Sequence, residues 1–590
     1  MSDLIMERAK YWASSDVFDV ETRNEIKTLL EDNNIKEISD RFYRELEFGT
    51  GGLRGVLGSG TAYINRYNVR KATFALGSYL RKVHGDKSLR VAVSFDSRRM
   101  SREFAEEVCC VLAGMSIEAL ITEELRPVPM LSYMVRHFEC DAGVCITASH
   151  NPPEYNGFKV YWATGGQLVP PHDKGVISHY YKVDKIDSIP MVSFSEGVSA
   201  GQIRVISDEL DEAYFNSLLP FSLNKEGKAD LKIVFTPIHG AGGYPVKRAL
   251  NLFGFEDVVL VPEQSEPDGN FPTVSSPNPE SPSALKMAVD LAEQVDADLV
   301  LGTDPDVDRV GIVVRENGVF KFFNGNQLGS LLIDYVLSSL KFHNKLPTNP
   351  LVVKTIVTTD LQTDISKFYG ADCEETLTGF KWICDLIDAY ETGRLSPAKN
   401  YVCGGEESYG FLAGVSVRDK DAVQACCLAA EMVAYHRHHG RSLTEALDEI
   451  HLRHGSYLEG LKTITLPGKE GAEKIGEIMA KMRSEPPKVI CGQPVRVIKD
   501  YMTSKVSSFD ESGQVASEDQ IQLPVSNVLQ YELADGTKVS ARPSGTEPKI
   551  KFYVSVRSEV SDRTELRAVE SLNQEKLDEV MGFFEQQVSQ

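Results

Sequence analysis

The chain has 590 residues, enough for about four domains at ~150 residues each. Hydrophobic residues make up 42%, charged residues 25% and aromatics 9%, the balance of a soluble globular chain, which disfavours disordered, collagenous and membrane classes. A formal net charge of −22 argues against a broad nucleic-acid binder, which needs basic surface to displace counterions, and against docking on anionic lipid.

The first ten residues are polar and lack a signal-peptide core, and no stretch reaches ~18 consecutive apolar residues, so a cytoplasmic location is expected. The ten cysteines include no C-x-x-C pair and sit mostly in apolar settings, the pattern of buried reduced thiols.

Short β-branched runs alternate with helix-period segments. A strand at 89–95, a helix at 101–115 and a strand at 117–121 form the first such unit. The rhythm recurs with a strand at 231–235, a helix at 244–253 and a strand at 258–261. It returns with a strand at 351–357, a helix at 361–369 and a strand at 401–403. The fold class is therefore α/β, with three related units on mixed, mostly parallel sheets and a different tail. Polar or Pro/Gly-rich seams at 196–207, 315–325 and 455–461 give expected domains 1–206, 207–322, 323–460 and 461–590. Six prolines between 262 and 282 make that stretch an extended loop.

Five loops carry chemistry. A strand at 143–146 runs into Thr147, Ala148, Ser149, His150 and Asn151, closed by Pro152 and Pro153. Ser149 is either a nucleophile, assisted by His150 or Lys159, or part of an ordinary turn whose Ser and Asn bond the backbone. Asp304, Asp306 and Asp308 follow a strand at 297–301. In an extended loop alternate residues face one side, so the three carboxylates can converge on a hard cation. An EF-hand is excluded because Arg309 and Arg315 occupy its glycine and glutamate positions. Magnesium suits the site if phosphate and water complete the ligands.

Residues 541–549 bring Arg542, Ser544, Gly545 and Thr546 together as a remote-phosphate loop. Residues 404–410 offer Glu406 and Ser408 to vicinal sugar hydroxyls, or else cap a helix. Arg54 in the glycine-rich run 48–55 is an anion-site candidate. His436, His438 and His439 read as a helix end rather than a metal tract. The polar run 224–230, with Lys225 and Lys228, reads as a solvated linker.

Together these motifs resemble the α-D-phosphohexomutase superfamily from about Arg41 to Tyr553. The runs T-A-S-H-N-P, D-P-D-V-D-R, G-E-E-S-Y-G and R-P-S-G-T-E-P-K occur in the family's order. F-G-T-G-G-L-R-G, T-P-I-H-G-A-G and N-G-F-K-V-Y-W are most similar to the longer phosphoglucomutases, near the bacterial α-phosphoglucomutase, phosphopentomutase and glucose-1,6-bisphosphate synthase branches. The resemblance implies a four-domain architecture around a central cleft, with a C-terminal α+β domain. It implies that Ser149 is the phosphoserine and that Asp304, Asp306 and Asp308 hold Mg2+ together with the seryl phosphate.

The same resemblance puts Lys159 and Arg309 by the transferring group. Glu406 and Ser408 would bind sugar hydroxyls, and Arg542, Ser544, Gly545 and Thr546 the non-reacting phosphate. Thr378, Gly379 and Lys381 would lie in the loop that recognises sugar orientation. Where mannose-accepting relatives often carry His after the glycine, this chain has Phe380 and Lys381. Its R-P-S-G-T-E-P-K also departs from the animal-type R-L-S-G-T-G-S. The implied reaction interconverts glucose 1-phosphate and glucose 6-phosphate through glucose 1,6-bisphosphate, by a monomer or homodimer with a small-molecule sugar phosphate as its partner. Phosphomannomutase, phosphopentomutase and glucose-1,6-bisphosphate synthase activities remain alternatives. So do a haloacid-dehalogenase-type enzyme with Asp304 as nucleophile and a silent sugar-phosphate sensor.

Overall fold

A computed structural model of the chain describes residues 2–49, 51–183, 185–466, 468–544 and 549–589. It divides into two compact units. One holds Met1–Gly325 with Phe380–His439, and the other holds Asn326–Gly379 with Gly440–Gln590.

The first unit opens with three helices, Ser2–Ser14, Val20–Glu31 and Ile35–Phe42. Trp12 stacks on Phe18 at 4.2 Å, and both pack with Ile26, Ile38, Phe42 and Tyr67 in a small core of their own. The first sheet then runs in the spatial order Gly52–Val56, Tyr155–Trp162, Ala142–Ile146, Arg90–Phe95, Glu118–Thr122, Ile203–Ile206. The last four strands are parallel and the first two pairings antiparallel. The fully buried, apolar strand Ala142–Ile146 lies at its centre and ends at the Ser149 loop.

The second sheet has the order Val319–Phe323, Val310–Glu316, Leu299–Thr303, Ile233–Thr236, Val258–Leu260. Its middle strand Leu299–Thr303 ends at the Asp304 loop. The unit is completed by the helices Phe380–Glu391 and Ala422–His438 and by an antiparallel hairpin of Asn400–Glu406 with Gly410–Ala413.

The second unit holds the parallel pair Pro350–Thr355 and Asp372–Thr376 with the helix Leu361–Tyr369 between them. Its other sheet is antiparallel, in the order Ser456–Thr465, Lys549–Ser558, Lys538–Pro543, Leu529–Leu533, Gln493–Asp500, Lys505–Phe509, Val515–Gln520. The helices Gly468–Ser484 and Arg563–Ser589 contribute Met479, Leu577, Val580 and Phe584 to the same core as its apolar faces.

The three expected seams are regular structure, not linkers. Residues 196–207 include the strand Ile203–Ile206, residues 315–325 include a hairpin that pairs Arg315 with Phe320, and residues 455–461 begin the strand Ser456–Thr465. Edge strands need bury only one face, so their other face stays polar and reads as linker. The expected boundaries after residues 322 and 460 accordingly fall inside the strands Val319–Phe323 and Ser456–Thr465.

The run 224–230 is also not a solvated linker. Lys228 is buried, with Nζ 2.6 Å from Glu431 Oε2 and bonded to Ser222 Oγ and the Phe253 carbonyl. Its partner sits on a helix 203 residues further along the chain.

Candidate active site

The turn after the strand Ala142–Ile146 holds Ser149 in the left-handed region at φ 53°, a conformation non-glycine residues seldom keep unless the surroundings impose it. The serine is 4% exposed. Its amide donates to Thr147 Oγ1 at 2.9 Å. Its hydroxyl donates to Asp304 Oδ2 at 3.0 Å and lies 3.2 Å from His150 Nδ1. The loop and its neighbour Arg54 are tied by an Arg54 Nη1 bond to Asn151 Oδ1 at 3.1 Å. Arg54 enters from the edge strand Gly52–Val56, where any side chain at Gly52 (φ 124°) would strike the Phe158 carbonyl.

The three aspartates converge by a route other than the alternation of an extended loop. Residues 304–308 form a tight turn, with Val307 N bonded to the Asp304 carbonyl at 3.1 Å and Val307 at φ 61°. Carboxylate atoms of Asp304, Asp306 and Asp308 all lie within 4.8 Å of one another, and all three residues are buried.

The repulsion among them is answered by cations on other elements. Lys159, on the strand Tyr155–Trp162, has Nζ 2.7 Å from Asp306 Oδ2 and 3.5 Å from Asp308 Oδ2. Lys420 Nζ lies 3.1 Å from Asp308 Oδ2, and Arg309 Nε is 3.8 Å from Asp308 Oδ1. Burial, reinforced by Asp308 and Asp306, pushes the Asp304 carboxyl well above the usual range. Burial acts on Asp308 in the same sense, but Lys420, Lys159 and Arg309 outweigh it and hold that carboxyl below the ordinary value.

Two features fit a divalent metal. The donors are all oxygen, which suits a hard cation. Asp306 Oδ1 and Asp308 Oδ1 are buried and accept no hydrogen bond, an open valence that buried carboxylates seldom keep. Asp304, Asp306 and Asp308 are therefore the residues able to hold one.

The remaining expected residues divide between the two units. In the first, Arg309 pairs with Glu280 from the proline-rich loop. Glu406 ends the strand Asn400–Glu406 and Ser408 lies on the hairpin turn after it, so this loop is no helix cap. Glu406 Oε2 is 4.0 Å from Lys420 Nζ. Lys381 lines a cavity of about 310 Å³ with Trp162, Gln167 and His172. In the second unit Thr378 and Gly379 follow the strand Asp372–Thr376, and Thr378 Oγ1 is buried without a hydrogen bond. Arg542 lies on the strand Lys538–Pro543, and Ser544 N bonds the Lys549 carbonyl at 2.8 Å. Gly545 and Thr546 lie outside the described residues.

Lys420 and its neighbours were not among the expected site residues. Arg418, Asp419, Lys420 and Asp421 are four consecutive charges, ordinarily a solvated run, yet each is at most 8% exposed. Asp419 accepts from Tyr161 at 2.7 Å and Gln167 at 3.0 Å and stands 3.4 Å from Lys420 Nζ. The usable signal was their position directly before the buried helix Ala422–His438, where polar side chains at a strand-to-helix junction face a cleft.

Comparison with known proteins agrees with this geometry. Three family models match in order: phosphoglucomutase/phosphomannomutase alpha/beta/alpha domain I at residues 45–187, domain II at 212–318 and domain III at 324–452. The chain is 37% identical over 541 residues to a phosphoglucomutase of Staphylococcus epidermidis, covering 91% of this chain and 95% of that one. It is 35% identical over 533 residues to a phosphoglucomutase of Staphylococcus aureus, covering 90% and 93%. Its fold is similar to that of the exocytosis-sensitive phosphoprotein pp63/parafusin (phosphoglucomutase) from Paramecium in its open form. That match has a TM-score of 0.62 at 18% identity and covers 91% of this chain and 95% of that one. A phosphoglucomutase/phosphomannomutase family protein from Burkholderia thailandensis matches with a TM-score of 0.60 at 18% identity, covering 90% and 97%. With a strained serine, a buried aspartate triad and relatives of this similarity along nine-tenths of its length, the chain belongs to the phosphoglucomutase/phosphomannomutase family of α-D-phosphohexomutases, isomerases that act as intramolecular phosphotransferases.

Proposed function

We propose that this chain interconverts α-D-glucose 1-phosphate and glucose 6-phosphate, with Ser149 carrying the phosphoryl group and glucose 1,6-bisphosphate as the intermediate. The observation that carries the reading is the Ser149 hydroxyl, presented by a backbone strained at φ 53° and 3.0 Å from a carboxylate of the buried triad. The relatives named phosphoglucomutase favour glucose over mannose or ribose.

Asp304, Asp306, Asp308 and the seryl phosphate would hold Mg2+, which when bound neutralises charge on the transferring oxygens. The protein's own groups then divide the work. His150 is kept neutral by burial and by the Arg309 and Arg54 charges, so its Nδ1, 3.2 Å from Ser149 Oγ, is available to take a proton. Lys159 is the opposite case. Against the effect of burial, Asp306 and Asp308 hold its ammonium charged, which suits it to fix phosphoryl oxygens rather than shuttle protons.

Arg54 and Arg309 would steady the transferring group. Glu406, Ser408, Lys381, Thr378 and Gly379 would orient the sugar, and Arg542, Ser544, Gly545 and Thr546 would bind the second phosphate. On this reading each of four domains, with boundaries moved off the strands Val319–Phe323 and Ser456–Thr465, supplies one loop. A cytoplasmic monomer or homodimer fits the reading, and among the described residues no helix is long and apolar enough to cross a membrane.

The test is intact-mass and peptide analysis after incubation with glucose 1,6-bisphosphate, beside a coupled assay on glucose 1-phosphate, mannose 1-phosphate and ribose 1-phosphate. Phosphate on Ser149 and a preference for glucose 1-phosphate are expected. Phosphate on Asp304 alone, or no phosphoprotein, would overturn the reading.

A further inference from the structure

The loop that carries Ser149 satisfies itself only in part, through Asn151 N to the Ala148 carbonyl at 3.2 Å and Tyr155 N to the Pro152 carbonyl at 3.1 Å. Pro152 and Pro153 have no N–H to give, and the carbonyls of Ser149, Asn151, Pro152 and Tyr155 all lie within reach of one buried donor. One side chain collects them. Arg98 donates from Nη1 to the Pro152 and Tyr155 carbonyls at 2.9 and 3.1 Å, and from Nη2 to the carbonyls of Ser149 and Asn151. Its side chain is 0% exposed, and its charge is balanced by Asp96, equally buried, at 3.4 Å. Asp96 is itself fixed by the Arg98 amide at 2.9 Å and by Ser101 Oγ at 2.8 Å.

The proline-rich loop adds an aromatic contact to the guanidinium. Phe271, from the proline-rich loop, has its ring 5.0 Å from Arg98 Cζ. Gly269 of the same loop lies so close that a Cβ there would come within 2.4 Å of Arg99 N and 2.8 Å of Arg98 C. Ser276 adds a bond to the His150 carbonyl at 2.8 Å. A stretch whose prolines mark it only as an extended loop thus braces the serine turn from behind.

We infer that Arg98 is a positioning residue for Ser149: its buried guanidinium, held by Asp96 and Phe271, gathers three loop carbonyls and that of Tyr155 and so fixes the hydroxyl against the aspartate turn. The inference rests on Ser149 as the phosphoryl carrier. Only a planar fork with five donors can span four acceptors, so lysine is no substitute. Because Arg98 is fully buried, its loss should slow phosphoryl transfer without weakening sugar-phosphate binding.

The experiment measures transfer of labelled phosphoryl from glucose 1,6-bisphosphate to the dephosphorylated full-length chain, with calorimetric binding of glucose 1-phosphate on the same preparations. Wild type, Arg98→Ala, Arg98→Lys and Gly269→Ala are compared. Arg98→Ala should label on the order of 100-fold more slowly, the cost of displacing a reacting group by about 1 Å, with binding unchanged. Dilute guanidinium should restore part of the rate where ammonium does not, and Arg98→Lys should recover little. Labelling of Arg98→Ala at the wild-type rate, or equal loss of labelling and binding, would overturn the inference. If Arg98→Ala yields no folded protein, Arg98→Lys and Gly269→Ala decide it by the same two readouts. A wild-type chain that takes no label would instead remove the phosphoserine reading itself.

Discussion

Each unit of the molecule sets buried cations among carboxylates, and the two clusters are built to different ends. In the second unit Lys354 is fully buried. Its ammonium bonds Asp360 at 2.8 Å, Glu375 at 2.6 Å and the Thr358 carbonyl, while Lys538 also bonds Asp360 at 2.8 Å. The groups reinforce one another: although burial opposes each ionisation, Lys354 is held charged, and the carboxyls of Asp360 and Glu375 lie below the ordinary range. In the first unit the Asp304 turn also faces cations, but Asp304 is pushed up while Asp308 is held down, and two carboxylate oxygens stay unbonded. A buried charge whose partners are complete is architecture. A buried cluster with open oxygens beside a strained serine has been kept ready for something that is not protein.

The sharpest way to break this contrast is to remove the chemistry and ask whether the fold notices. Ser149→Ala should lower turnover by at least about 10⁴-fold, while thermal unfolding stays within a degree or two and glucose 1-phosphate still binds. A full-rate variant would sink the role of Ser149. Asp306→Asn should cost on the order of 10²- to 10³-fold in kcat and raise the magnesium concentration needed for half-activity. Its folding should change little, because the relief of carboxylate repulsion offsets the loss of Lys159's nearest partner, and Asp308 at 3.5 Å still faces that ammonium. If Asp306→Asn kept the wild-type metal dependence, the aspartate turn would not be the metal site.

The converse prediction concerns the complete cluster. Lys354→Met should cost about 3 kcal/mol of stability, near the lower end for breaking a buried pair, because Asp360 and Glu375 reach solvent and water takes up part of the uncovered charge. Activity per folded molecule should stay within a few-fold. The pH dependence follows from carboxyls whose folded values are lowered. Their contribution is complete above the unfolded value near 4 and is lost as pH falls through the folded values, so wild type and variant should converge in acid. Denaturation curves at pH 7 and pH 3 that differ by the same amount would refute this.

What the sequence disclosed follows the same division. The helix Leu361–Tyr369 was readable to the residue, because its apolar spacing and the glycine after it are local signals. The Ser149 and Asp304 loops were readable because each is one short run after a buried strand. Arg98, Lys420, Lys228 and Glu280 were not, because what makes each matter is a partner far away in the chain. For Arg98 it is carbonyls more than fifty residues on, and for Lys228 a glutamate more than two hundred residues on. A lone charge in sequence looks solvated; only tertiary structure shows that its water has been replaced. The carboxylate turn makes a subtler point, since its convergence was anticipated from alternation yet is produced by a left-handed Val307.

The smallest effect offers the finest comparison, because it reverses the sign seen at Lys354. Asp421 caps the helix Ala422–His438, accepting from Gln424 N at 2.9 Å and from Tyr214 at 2.8 and 2.9 Å, and it has no cation bonded to it among the described residues. Burial therefore wins, and its pKa is raised to about 6. The folded state then holds a proton that the unfolded chain, with a value near 3.9, gives up more readily. Ionisation weakens the fold progressively from about pH 4 to about pH 6 and adds nothing beyond. Asp421→Asn keeps an acceptor for the helix cap but cannot ionise, so its stability relative to wild type should rise across that window and then level off. Urea denaturation at closely spaced pH values would show it. Parallel curves would mean that the Tyr214 hydroxyl and the cap amide already compensate the buried charge, and that a buried carboxylate can be completed by neutral donors as well as by lysine.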